Sequence, residues 1–267
     1  MSADSAPAAV RPVPTRPVVV IPARLASQRL PDKPLADIAG EPMIVHVWRR
    51  AVEAEVGPVV VACAEAAIAE AVRAAGGTAL MTDPDHPSGS DRVHEAVERF
   101  DPDRRHDAVV NLQGDLPTIS PEDVRAAFEA LGDPSVDIGT LAAPITDEAE
   151  RDDPNVVKAV IELAEGARLG RALYFTRLAA PWGNGPWWHH IGLYAYRREA
   201  LTAYVRLPPA VLERRERLEQ LRALAHGMRI DVAHVDSVPL GVDTPADLER
   251  ARAALDPARR QAAPGAS

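Results

Sequence analysis

Lysine is nearly missing from this chain: of 30 basic residues only Lys33 and Lys158 are lysines, and arginine supplies the rest. The Ala/Arg/Pro bias is that of a GC-rich coding sequence, which drifts lysine towards arginine. A lysine that persists is a candidate for work needing a compact ammonium rather than a planar fork. The single cysteine, Cys63, excludes an internal disulfide and fits a reducing cytoplasm. No apolar run approaches the roughly 20 residues needed to cross a bilayer, so no membrane span is expected. A net charge of -9 argues against general nucleic-acid binding but leaves room for a local arginine pocket that takes a small anion.

What is present is ordinary for a folded protein: 46% hydrophobic and 26% charged residues in 267. That length buries a sizeable core without metal or disulfide staples. Residues 1–17 (MSADSAPAAVRPVPTRP) carry neither the charged start nor the apolar stretch of a signal peptide and read as a disordered lead, as does the tail 256–267. One domain over 18–255 is expected between them.

Within it, short β-rich runs alternate with helical patterns. Strands are predicted at Val18–Ile21, Val59–Cys63, Ala79–Met81 and Ala108–Leu112. Helices are predicted near Met43–Glu55, over Glu65–Ala75 with a Gly76-Gly77 stop, around Arg92–Phe100, and over Pro121–Leu131. This alternation implies βαβ units and a mainly parallel sheet, with ligands at the carboxyl ends of its strands. Further on, Asp137–Ile145, Val156–Glu162, Ala172–Thr176, Ile191–Arg197 and Ile230–Val235 read as strands with fewer helices between them. Leu212, Leu218, Leu221 and Leu224 mark the apolar stripe of one helix. The expected architecture is a Rossmann-like α/β fold, a mixed and mainly parallel sheet flanked by helices, with a small lobe.

The richest chemistry follows the first strand. Pro22, Ala23, Arg24, Arg29 and Lys33 lie on a loop with three cations spaced five and four apart, enough to wrap a triphosphate. Asp115 follows a buried strand through Gly114, where the backbone can turn and approach a ligand. Read alone, Gly114-Asp115 is more often a simple turn, and Asp243 caps the helix Thr244–Ala254 as readily as it binds a metal. Ser88–Arg92 is a loop before a helix, capped by Ser90 or Asp91.

These segments resemble the CMP-Kdo synthetases (3-deoxy-manno-octulosonate cytidylyltransferases). The resemblance runs through Pro22–Leu35, Gly40–Ile44, His86–Arg92, Val110–Asp115, Pro154–Lys158, Ala172–Arg177, His190–Tyr194, Leu218–Arg222 and Gly241–Pro245 in order, over roughly residues 18 to 255. It implies the nucleotide-diphospho-sugar transferase type of fold with an acceptor-binding and dimerisation lobe, and leaves a homodimer open. It implies transfer of CMP from CTP to an acidic acceptor with release of pyrophosphate, and Mg²⁺ held by Asp115 and Asp243. By the same resemblance Arg24, Lys33 and Asp115 are catalytic, while Ser90, Arg92 and Gln113 join the loop cations in binding the nucleotide. Arg177, His190, Tyr194, Glu219 and Gln220 take the acceptor; alternation along a strand puts His190 and Tyr194 on one face and His189 on the other. Lys158 reads as a pocket residue or a surface charge, and the turn carrying Trp182, Trp187 and Trp188 as a subunit contact or a lid.

Three positions depart from that family's pattern. Asp32 stands where a glycine is usual, Leu116 replaces an acidic residue, and Pro181–His189 is a shortened loop. They leave Kdo as the expected acceptor, with a phosphonate such as phosphonoformate or another acidic sugar as the alternative. A glycosyltransferase, which also uses a Rossmann-like domain with metal carboxylates, is the reading from another class; the cationic loop argues against it.

Overall fold

The apolar run Val18–Ile21 forms the centre of β1 (Pro17–Ala23), buried on both faces as a central strand of a parallel sheet must be. The computed structural model describes residues 11–26 and 29–256. After β1 come a 3₁₀ turn (Lys33–Leu35), the short hairpin β2 (Asp37–Ile38) and β3 (Glu41–Pro42), α1 (Met43–Glu53), β4 (Val59–Cys63), α2 (Ala66–Ala74), β5 (Thr78–Met81), α3 (Gly89–Phe100), β6 (Ala108–Asn111) and α4 (Pro121–Glu129). The second half holds β7 (Ile138–Pro144), α5 (Glu148–Asp152), β8 (Lys158–Glu162), β9 (Leu169–Thr176), β10 (Trp188–Arg197), α6 (Arg198–Tyr204), α7 (Val211–Glu216), α8 (Gln220–Ala225), β11 (Ile230–His234) and α9 (Pro245–Leu255).

Nine strands form one sheet in the order β5-β4-β1-β6-β10-β7-β11-β9-β8. Only β9 and β10 run against the others, so the sheet is mixed and mainly parallel in direction. The start of β10 also pairs with β8, which closes β10, β7, β11, β9 and β8 into a ring. That ring is the small lobe. One core layer packs Ile21, Ile44, Leu112 and Leu193 against one sheet face, and the other packs Val20, Val93, Phe175 and Tyr204 against the opposite face.

Three expectations need correction. Residues 11–16 are not a loose lead: Arg11 pairs with Asp137 at 2.7 Å, Pro12 O accepts from Arg197 Nη1 at 2.6 Å, and the amides of Thr15 and Arg16 donate to Asp107. Composition registers the prolines there but not partners some ninety or more positions away. Residues 1–10 and 257–267 lie outside the described residues. The leucine stripe is split between α7 (Leu212), the turn at Leu218 and α8 (Leu221 and Leu224), because Arg217 breaks the path at φ 56°. Finally, α3 starts at Gly89 and its cap is Ser88, whose side chain accepts from Asp91 N; neither Ser90 nor Asp91 plays that part. Among the described residues no helix is long and apolar enough to cross a membrane.

Candidate active site

At the carboxyl end of β1, Pro22, Ala23 and Arg24 open a cleft of about 810 Å³ that Arg29, Lys33, His86, Gly89, Arg92, Gln113 and Asp115 also line. Gly114 lets the β6 end close onto β1: a Cβ there would stand 2.9 Å from Pro22 O. Lys33 is delivered by a backbone twist at Asp32, whose φ of 52° is left-handed, followed by the 3₁₀ turn. Aspartate tolerates that conformation better than most side chains.

Lys33 Nζ donates to Asp115 Oδ2 at 2.9 Å and to Asp243 Oδ1 at 3.0 Å, while Arg29 Nη2 meets Asp243 Oδ2 at 3.0 Å. Burial alone would lower the Lys33 pKa, but the two carboxylates outweigh it and the net shift is upward. The ammonium therefore stays charged.

Asp243 is spared for this work because its neighbour does the capping. Thr244 Oγ1 accepts from Asp247 N at 3.2 Å, and Asp247 Oδ2 accepts from the amides of Asp243 and Thr244. Val242 N donates to Asp115 O at 2.9 Å and Leu240 N to Thr118 Oγ1 at 2.8 Å, so the loops carrying the two carboxylates are zipped together.

Both carboxylates converge on one ammonium, which marks a point where cationic charge is held by hard oxygens. Among the described residues no group of three or more His, Cys, Asp or Glu side chains gathers to hold a metal. Two carboxylates could supply part of a shell of the kind Mg²⁺ takes, with waters and substrate phosphates completing it. The donor set fits that ion.

A second cavity of about 90 Å³ shares Gly89 and Gln113 with the cleft and is otherwise lined by Ser90, Asn111, Tyr194, Tyr196, Tyr204, Glu219 and Gln220. Its walls are hydroxyls, amides and one carboxylate. Tyr204 Oη donates to Glu219, reaching its backbone O at 2.9 Å and Oε1 at 3.1 Å. Burial raises the pKa of Tyr194 and Tyr196, so both phenols keep their protons. The left-handed Arg217 turns Glu219 and Gln220 into this cavity, and Arg222 ties α8 to Glu213 of α7.

Of the expected acceptor residues, Tyr194, Glu219 and Gln220 come together here; Arg177 and His190 line neither cavity. Arg177 is occupied by backbone carbonyls, donating through Nε to Glu216 O at 2.8 Å and through Nη1 to Pro154 O at 2.9 Å. His190 stands behind Tyr194 with ring centroids 5.6 Å apart, so the two do share a face. Thr140 Oγ1 has one hydrogen, given to Leu193 O at 2.8 Å, so His190 Nε2 at 3.0 Å must donate to that oxygen. Burial, with a lesser push from His189, lowers the His190 pKa to about 3 and keeps it neutral. His189 turns away to Glu150 at 3.0 Å.

Lys158 is neither pocket residue nor surface charge: fully buried, its Nζ donates to the carbonyls of Asp153, Val156 and Arg177. Arg92 lines the cleft but holds the loop beside it, donating to Thr82 Oγ1 at 2.6 Å and Asp83 O at 2.9 Å. Leu116 is a core residue, and burial pushes the Cys63 thiol up to about 12. Trp188 is buried against His234, Trp187 stacks under Arg151, and Trp182 is wholly exposed.

Among the lining residues to which sequence reading assigned no role are Asn111, Tyr196, Tyr204 and His86. Two of them carried a usable signal, since Asn111 and Tyr196 lie two positions from Gln113 and Tyr194 along extended chain. Tyr204 sits on α6, which no pattern announced.

Residues 18–230 match the family model described as cytidylyltransferase. A 3-deoxy-manno-octulosonate cytidylyltransferase from Rhodospirillum centenum is 74% identical over 244 residues, covering 91% of this chain and 95% of its own length. One from Parvibaculum lavamentivorans is 66% identical over 253 residues, covering 95% and 98%. Among solved structures, a CMP:2-keto-3-deoxy-manno-octonic acid synthetase complexed with CTP superposes with a TM-score of 0.83 at 41% identity, covering 92% of this chain and 99% of the other. The fold is that of the nucleotidyltransferases, and this chain belongs to the 3-deoxy-manno-octulosonate cytidylyltransferase family.

Proposed function

We propose that the chain transfers CMP from CTP to the anomeric hydroxyl of 3-deoxy-manno-octulosonate, giving CMP-Kdo and pyrophosphate. The observation that carries this reading is the junction of two cavities at Gly89 and Gln113, one cationic and one lined by hydroxyls, with Lys33, Asp115 and Asp243 gathered at the cationic side. Arg24, Arg29 and Lys33 suit a triphosphate; Tyr194, Glu219 and Gln220 suit a polyhydroxylated acid. The relatives' shared name favours Kdo over a phosphonate, and a short phosphonate would leave the hydroxyl-lined walls without partners.

The acceptor oxygen attacks the α-phosphorus in line; the new P–O bond forms as the bond to the β-phosphate bridging oxygen breaks. Pyrophosphate leaves and the acceptor hydroxyl gives up its proton. The protein's part is to position the reactants and to balance growing negative charge. Asp115 and Asp243 would hold Mg²⁺, which when bound supplies charge neutralisation at the phosphates. Arg24 and Lys33 add cationic charge from the chain itself. Tyr194 and Glu219 orient the sugar, and the neutral His190 supports Tyr194 from behind.

The test is pyrophosphate release with CTP and Mg²⁺, comparing Kdo with phosphonoformate and using ATP, GTP and UTP as controls. Turnover with Kdo and CTP alone is expected; turnover only with phosphonoformate overturns the acceptor, and none with CTP overturns the whole reading.

The buried Cys63 suits a cytoplasmic enzyme. We further assign Leu173, Leu178 and Trp182, which are 53, 73 and 100% exposed, to contact between two copies in a homodimer. Trp182→Ser should shift sedimentation from dimer to monomer; unchanged mass would remove this face from the interface.

A further inference from the structure

At the opposite end of the central strands from the cleft, a cavity of about 210 Å³ is lined by Arg11, Arg104, Arg197, Arg198 and His106, with Pro12, Pro14, Asp107 and Glu199 completing its wall. Its residues precede β1 and β6 or close β10, whereas the cleft opens at the far ends of β1 and β6. The seven residues of β1 put the two about 20 Å apart.

Four guanidinium groups line the cavity with two carboxylates; Arg11 is paired with Asp137 at 2.7 Å, and the other charges are unevenly satisfied. Arg197 is 7% exposed, and its hydrogen bonds all go to backbone carbonyls: Val136, Pro12, Leu131 and Asp133. Among the described residues no carboxylate hydrogen-bonds to it. Burial first, and the like charge of Arg11 second, pull its pKa below the usual arginine value. Arg198, 4% exposed, spends its terminal nitrogens on Asp101 and Glu98 but leaves a buried Nε without a partner among the described residues. Arg104, held in left-handed backbone at φ 55°, has among the described residues only a long 3.7 Å approach to Glu98 as an ion pair. Asp107 is the weaker obstacle to an anion, because its oxygens already accept from the amides of Thr15 and Arg16; Glu199 is the other acid on the wall.

We propose that this cavity is a second anion site, separate from the CTP cleft, that takes a phosphate-class oxyanion between Arg104 and the buried Arg197. An oxyanion there offsets the Arg11–Arg197 repulsion, accepts from the Arg104 guanidinium in the planar geometry that phosphate matches, and takes the one Arg197 N–H, on Nη1, that its four carbonyl bonds leave. The volume leaves room for one such ion and a few waters at about 30 Å³ each. The inference does not depend on which acceptor the cleft serves.

The experiment is calorimetric titration of inorganic phosphate into the full chain held saturated with CTP, so that the cleft is filled. Wild type should bind one phosphate, with sulfate competing and pyrophosphate binding at least as well. Arg104→Ala should weaken phosphate about tenfold and Arg104→Glu should abolish it, while CTP affinity and basal turnover stay unchanged. Arg104 is half exposed on a loop, so these variants should fold; thermal unfolding without phosphate checks that. No phosphate heat in CTP-saturated wild type, or equal affinity in Arg104→Ala, overturns the proposal.

Discussion

The amide of Val242 donates to the carbonyl of Asp115 at 2.9 Å, and with the Leu240–Thr118 bond beside it this backbone bond holds carboxylates 128 positions apart at the same ammonium. Because the backbone does the positioning, either carboxylate can be neutralised without moving the loops. Asp115→Asn and Asp243→Asn should each reduce kcat by at least about a hundredfold, or about 2.7 kcal/mol of barrier. Melting temperature should hold within about two degrees. Pyrophosphate release beside a thermal melt checks both; a variant that keeps most of its turnover removes that residue from catalysis.

A cation bound as proposed would call on the oxygens that Lys33 holds. Replacing Lys33 with Met removes the ammonium shared by Asp115 and Asp243 and leaves Arg29, on Asp243 alone, as the remaining cation of the set, a loss of compensation that costs stability. Added Mg²⁺ should therefore raise the melting temperature of Lys33→Met more than that of wild type, although turnover is lost. An equal Mg²⁺ response in the two proteins would show that the ion does not use these carboxylates.

The cap of α9 separates two roles that sequence left balanced at Asp243. Thr244→Ala removes the side-chain acceptor for Asp247 N and should cost about 1 kcal/mol in urea unfolding, with kcat little changed. Asp243→Asn should show the reverse pattern, near-normal stability and lost turnover.

Asp32 tests a departure from the family pattern. At φ 52° a glycine carries no Cβ penalty, so Asp32→Gly should leave stability and CTP affinity close to wild type. Asp32→Val, β-branched in the same left-handed conformation, should cost about 1–2 kcal/mol and displace Lys33, raising the KM for CTP. Normal kinetics in Asp32→Val would mean that Lys33 does not depend on this turn.

Sequence made the nucleotide half legible because its logic is local. A rare lysine, a cationic loop after an apolar strand, and Gly114-Asp115 after another strand lie where alternating βαβ units must put them. The acceptor half depends on partners far along the chain. Arg177 looks free in sequence, but carbonyls of Pro154 and Glu216 take its guanidinium. Lys158 looks equally free, yet three carbonyls bury its charge. The leucine stripe continues in register across Arg217, so no periodicity signals the left-handed residue that splits α7 from α8 and aims Glu219 at the cavity.

His190 offers a pH test that needs no substrate. Its pKa is about 3 in the folded chain because burial disfavours the imidazolium, against about 6.5 when exposed. Between those values the unfolded chain binds more protons than the folded one, so stability is full above about pH 6.5 and falls as pH drops towards 3. The limiting slope from this one group is about 1.4 kcal/mol per pH unit. His190→Asn removes the titration, so the difference in unfolding free energy between wild type and variant should shrink steadily from pH 7 to pH 4. At pH 7 the variant should be the less stable, having lost the Thr140 hydrogen bond and the contact with Phe175. Parallel stability curves over that range would mean that His190 takes up its proton at the same pH folded and unfolded, and would overturn the buried, neutral imidazole behind Tyr194.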